Sequence, residues 1–170
     1  SSSADLLVRS YDFAQIAAMQ EAGEWDVLAR LFAEDAGSLV AAGAEAVMIC
    51  ANTMHKVADE VASAIPVPLI HLIDATADGI RRAGVDRVVL LGTGYTMRGS
   101  FYADRMAGHG IETAVPEEPE LEEIHRLIYD HLAQGRVPDG ATARVEEILQ
   151  PMLDAGCQGV IAGRTALPTV

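Results

Sequence analysis

Apolar and polar positions alternate along this chain in a regular way: short apolar runs are separated by longer amphipathic stretches. Leu6-Leu7-Val8 is the first run and reads as a buried strand that leaves a sheet at Arg9-Ser10-Tyr11-Asp12. Asp12 is placed to cap a helix over residues 13–21, which Gly23 ends. A second helix is predicted over residues 25–42, where Leu28, Leu31, Phe32, Leu39 and Val40 fall mostly on one face and Gly43 supplies a left-handed end. Residues 46–50 are apolar throughout, as expected of a strand covered on both faces.

The same grammar continues. A helix over 54–64 leads through Pro66 and Pro68 to a short strand at 69–72. A helix over 75–83 ends at Gly84 and feeds a strand at 87–91, followed by a Gly/Thr loop and a helix over 97–107. A weaker strand at 111–115, helices over 119–133 and 141–155 around a loop at 135–140, and a strand at 159–162 complete the pattern. Strands alternating with helices of this length predict an α/β fold with a doubly wound parallel sheet, whose ligands sit at the carboxyl ends of the strands. Residues 42–50, 83–91 and 155–163 repeat one plan of helix end, glycine, short turn and buried strand. The first and third match beyond the strand, which pairs Ala51 with Arg164 and Asn52 with Thr165.

Composition narrows the chemistry. Half of the 170 residues are hydrophobic but only 5% are aromatic, so the core is aliphatic. A net charge of -13 disfavours nucleic acid and anionic membrane as partners. It leaves room for an acidic ligand, because oriented N–H groups reverse the potential locally. Cys50 and Cys157 lack any metal-binding spacing and read as buried free thiols in a reducing compartment. No apolar run approaches the roughly 18 residues of a membrane span, and no signal peptide is visible, so a cytoplasmic protein is expected.

Three strand-end loops carry the candidate chemistry. In Ala51-Asn52-Thr53-Met54-His55-Lys56, Asn52 and Thr53 can cap the following helix and present free N–H groups to an anion; a plain capped helix with a surface His and Lys explains the same residues. Gly92-Thr93-Gly94-Tyr95-Thr96 offers two hydroxyls and two glycines beside a helix start, either a carboxylate site or a tight turn, and matches neither a phosphate loop nor a dinucleotide fingerprint. Gly163-Arg164-Thr165-Ala166 brings an arginine fork that would clamp a carboxylate or stand in solvent. His71 and His109 read as structural, and Glu117, Glu118, Glu120, Glu122 and Glu123 as a solvated helix start.

At these loops the chain resembles the cofactor-independent aspartate/glutamate racemases. Asn52-Thr53-Met54-His55-Lys56 is similar to that family's first Cys/Thr-Asn-Thr-x-His motif from its second residue on. Leu91-Gly92-Thr93-Gly94-Tyr95-Thr96-Met97, with Phe101-Tyr102, resembles its middle loop, and Gly163-Arg164-Thr165-Ala166-Leu167-Pro168 its closing Gly-Cys-Thr-Glu-hydrophobic-Pro motif. The resemblance implies two similar α/β halves, residues 1–72 and 73–170, with a small acidic amino acid held between them and no pyridoxal phosphate. It implies substrate contacts from Ser10, Asn52, Thr53, His55, Thr93, Thr96 and Thr165, and a homodimer.

The departures fall on the chemistry. The family's two proton-transfer positions are Ala51 and Arg164 here, and its motif glutamate is Ala166. A methyl group transfers no proton, and a guanidinium stays protonated. Cys50 lies one residue early and Cys157 at the far end of its strand. A racemase impaired in turnover is therefore expected, beside a carboxylate-binding protein without turnover or another isomerase or lyase, such as a maleate-isomerase-like enzyme, on the same scaffold. A metal hydrolase built on His55 and His71 lacks a carboxylate at suitable spacing. The family's first strand with its Gly-Gly-Met-Ser-type loop and its last helix have no match, so an internal portion of a longer protein is expected.

Overall fold

A computed structural model of the chain describes residues 4–163. They form two compact units: one runs to Ile49 and resumes over Met54–His71, and the other comprises Cys50–Thr53 and the residues from Leu72 on. Both are α/β with parallel strands.

In the first unit α1 (Phe13–Glu21) begins at Asp12, whose carboxylate accepts from the Ala14 N–H at 3.0 Å. Helix α2 (Trp25–Ala41) buries Leu28 and Ala36, and Gly43 turns the chain out of it at φ 105°. Strand β1 (Val47–Met48) pairs in parallel with β2 (Leu69–Ile70). Between them a 3₁₀ turn (Thr53–Val57) runs into α3 (Ala58–Ala64), which packs on α2. Leu28, Ile16, Val47, Ile49, Met54, Val57 and Val61 form the core of this unit.

Two expectations for this unit are corrected. Residues 6–8 are not a buried strand: Leu6, Leu7 and Val8 are 73%, 49% and 80% exposed, and the segment lacks regular structure. Its neighbours dock on α2 instead, through the Arg9–Asp35 ion pair at 2.9 Å and the Tyr11 ring stacked on Phe32. Strand β1 is short and covered on one face only, since Met48 and its register partner Ile70 are about half exposed. Apolar content alone does not tell which side of a strand is covered.

The second unit holds a sheet ordered β4-β3-β5, all parallel, with β3 (Arg87–Leu91) central, β4 (Glu112–Ala114) and β5 (Gly159–Ala162). Every residue of β3 after Arg87 is buried, as a central parallel strand requires. Helices α4 (Leu72–Arg82) and α6 (Ser100–Gly108) pack together, with Ile73, Val88, Leu90, Tyr102 and Met106 in one cluster. Helices α7 (Glu120–Arg126) and α8 (Ala141–Asp154) bury Ile124, Val145 and Leu149 in another, with Ile128 and with Val89 and Leu91 of β3. A π turn (Leu127–His131) and a 3₁₀ turn (Leu132–Gln134) extend α7.

The helix expected over 97–107 is two, α5 (Gly94–Arg98) and α6, because Gly99 is extended between them. A Cβ at Gly99 would stand 2.6 Å from the Tyr95 carbonyl oxygen, so only glycine makes this break. The glutamates at the start of α7 do more than face solvent. Glu118 and Glu122 hold Arg98, and Glu123 holds Arg144.

Candidate functional site

Parallel strands deliver their following loops to one end of a sheet, and the second unit gathers three such loops. The loop 50–53, which follows β1 in sequence, groups with this unit. The Asn52 side-chain amide donates to the Gly163 carbonyl just beyond β5, at 2.8 Å. Gly163 in turn donates its N–H to the Leu91 carbonyl at the end of β3, at 2.6 Å. A Cβ at Gly163 would approach that same oxygen to 2.6 Å, so the close passage of the β3 and β5 ends depends on glycine.

Three threonine hydroxyls meet beside this junction. Thr53 Oγ1 lies 2.9 Å from Thr93 Oγ1 and 3.2 Å from Thr96 Oγ1, and the last two are 3.2 Å apart. Thr93 is also the N-cap of α5 and accepts from the Thr96 N–H. A Cβ at Gly92 would press on Thr96 Cβ and Cγ2 at 3.3 Å, so Gly92 makes room for the Thr96 side chain. Thr53 and Thr93 are each 8% exposed and Thr96 1%. All three threonines are buried, Thr96 the most deeply. Three hydroxyls joined in a triangle own three protons and have acceptor capacity to spare. One proton can turn outward to an anion without leaving a neighbour unpaired.

Ala51 is exposed on the same loop. Cys50 is exposed too, against the expectation of a buried thiol, because burial alternates along Val47, Met48, Ile49 and Cys50 and places it with exposed Met48. Cys157 is buried as expected. Arg164 and Thr165 lie outside the described residues. Ser10 and His55 belong to the first unit. Ser10 is exposed, whereas His55 is 4% exposed with its ring 4.5 Å from that of His71. His55 is thus a core residue of that unit and not a surface group. His71 is 8% exposed beside β2, and His109 Nε2 lies 2.9 Å from the Asp74 carboxylate.

His125 was not singled out by motif. From α7 its Nδ1 accepts the Gly94 N–H at 3.0 Å, inside the loop that carries Thr93 and Thr96. Its ring lies edge-on to Tyr95 and 4.8 Å from Tyr129. Burial is the largest influence on it and lowers its pKa, against the pull of the Glu122 carboxylate. The sequence signal was faint: a histidine four residues before a tyrosine, on a helix whose buried face includes Ile124. Among the described residues no group of three or more His, Cys, Asp or Glu side chains is arranged to hold a metal ion.

Comparison with known proteins places the chain in a family. The family model for Asp/Glu/hydantoin racemases matches residues 2–170. The chain belongs to that family. A crystal structure of a candidate Asp/Glu racemase from Yersinia pestis is 38% identical, covers 99% of this chain and 75% of its own, and superposes with a TM-score of 0.90. An aspartate racemase homologue from Pyrococcus horikoshii is 35% identical over 96% of this chain and 71% of its own, with a TM-score of 0.81. Glutamate racemase from Francisella tularensis, solved with D-glutamate, shares the fold at 19% identity and a TM-score of 0.64, covering 84% of this chain and 52% of its own. Among the described residues no helix is long and apolar enough to cross a membrane.

Proposed function

We propose that this racemase-family chain binds a small acidic amino acid at the strand-end hydroxyls and turns it over poorly or not at all. The observation that carries the reading is the company Ala51 keeps. Asn52 and Thr53 beside it are built into a hydrogen-bonded junction with Gly163, Thr93 and Thr96, which supports reading these residues as binding elements. The residue that should exchange a proton is a methyl group. Hydroxyls and an amide orient a carboxylate and an ammonium but do not ionise near neutral pH. Racemisation needs a base on one face of Cα and an acid on the other, and loss of such groups removes roughly 10²–10⁴-fold in rate at each proton transfer. Arg164 at the second position adds charge for a carboxylate but no base.

The reading involves no pyridoxal phosphate. Lys56, the lysine of this sequence, lies over the Trp25 ring at 3.9 Å in the first unit. A homodimer in the cytoplasm belongs to the same proposal. A binding protein without turnover is the second reading, favoured by the neutrality of the assembled donors. Calorimetry with L- and D-aspartate and glutamate, paired with deuterium exchange at Cα, tests both. Binding with exchange at the buffer rate is expected. Brisk exchange defeats the claim of impaired turnover, and no binding defeats the site.

A further inference from the structure

We infer that His125 is a positioning residue for the hydroxyl site: it holds the 92–96 loop through the Gly94 amide and so couples ligand binding to its own protonation. The inference rests on the reading of the threonine cluster as a ligand site. Gly94 stands between Thr93 and Thr96, two corners of the triangle, and its N–H is held by His125 Nδ1 at 3.0 Å. One hydrogen bond thus pins the middle of a turn whose two flanks both carry site hydroxyls. Aromatic neighbours hold the ring: Tyr95 meets the imidazole edge-on at 89°, and the Tyr129 ring lies 4.8 Å from it.

Accepting at Nδ1 fixes the neutral tautomer with its proton on Nε2. A second proton makes both ring nitrogens donors and sets N–H against N–H at Gly94, so the contact must open. The charged groups around the ring divide. Glu122 on α7 and Asp130 in the π turn favour its protonation, while Arg98 on α5 and Arg126 on α7 oppose it. Desolvation outweighs each of these and keeps the ring neutral at neutral pH. Aspartate is a clean probe because its own side chain titrates near pH 3.9, well below the histidine range.

Two measurements separate this inference from the one beneath it. Heteronuclear NMR of the unmodified chain should show the Gly94 amide moving with the same midpoint as the His125 ring; an amide indifferent to that transition overturns the positioning role. Calorimetry with L- and D-aspartate should show affinity falling about tenfold on the acid side, the scale of one hydrogen bond. His125→Asn, whose side-chain oxygen can stand near the place of Nδ1, should bind with a flat profile between pH 5 and pH 8, and His125→Phe should bind weakly at every pH. A flat profile in the parent overturns the coupling. If the parent binds neither aspartate, the ligand-site reading and the coupling fall together, while the NMR titration still decides whether His125 holds the loop.

Discussion

Thr53→Val is the most direct test of the hydroxyl triangle. Valine keeps the β-branched shape and replaces Oγ1 by a methyl, so packing is conserved while two contacts go: the 2.9 Å approach to Thr93 and the 3.2 Å approach to Thr96. At about 0.5–1.5 kcal/mol for each neutral hydrogen bond, two lost edges give about 1–3 kcal/mol. Burial decides where in that range the value falls. Thr96 is 1% exposed and cannot turn its proton to water, though the Thr93 hydroxyl at 3.2 Å still receives it. One hydroxyl is left short of a partner and the other is not, which points to about 2 kcal/mol. The pairwise contribution comes from a double-mutant cycle with Thr93→Val. Thr93 also caps α5, a contact worth about 1 kcal/mol that cancels in the cycle. A coupling of about 1 kcal/mol between positions 53 and 93 is expected from urea unfolding. Because the chain divides into two units, amide exchange at Thr96 and Met97 should report the local loss alongside the global transition. Additivity of the two substitutions within about 0.3 kcal/mol would refute the triangle.

Three further outcomes are expected. Gly163→Ala should cost about 1–3 kcal/mol, since its Cβ would meet the Leu91 carbonyl at 2.6 Å and the backbone must give way; loss of the Asn52 contact should appear in the NMR signal of the Asn52 side-chain amide. Tyr102 is fully buried, its hydroxyl beside Thr76 but outside hydrogen-bond geometry, and burial pushes its pKa up to about 12. The unfolded chain loses this proton near pH 10, so stability present below that pH should fall as pH rises from about 10 to 12. Tyr102→Phe should flatten that slope in alkaline urea titrations and change stability by less than about 1 kcal/mol at neutral pH. Ala51→Cys with Arg164→Cys should raise Cα deuterium exchange of aspartate by roughly 10²-fold or more over the parent, and an unchanged rate would show that more than the thiols is missing.

What the sequence disclosed follows the range of the forces involved. Helix α1 with its Asp12 cap, the boundaries of α2, strand β3 and strand β5 were legible because caps, glycine ends and unbroken apolar runs are local signals. The Gly99 break was not legible, because it depends on a carbonyl from the preceding turn coming close to position 99. Nor was the exposure of Leu6, Leu7 and Val8, since an apolar run states what would be favourable to bury and not whether a neighbour covers it. Asn52, Thr53, Thr93 and Thr96 stand out in the sequence as loop residues, but the triangle of the three hydroxyls and the bond from Asn52 to Gly163 required the fold. The burial of His55 beside His71 was likewise not legible from the motif in which it stands.

The two kinds of information meet at Ala51. Packing, capping and register determine where its backbone runs, and each is satisfied here: Asn52 is bonded to Gly163, Thr53 to Thr93 and Thr96. None of these contacts depends on what side chain position 51 carries, because that residue is exposed and the loop is secured by its neighbours. On the proposed reading, a methyl in place of a proton-transfer side chain at position 51 costs the scaffold little, because none of these contacts is lost with it. On that reading the hydroxyl triangle, with His125 bonded to its loop, is where ligand specificity should be sought.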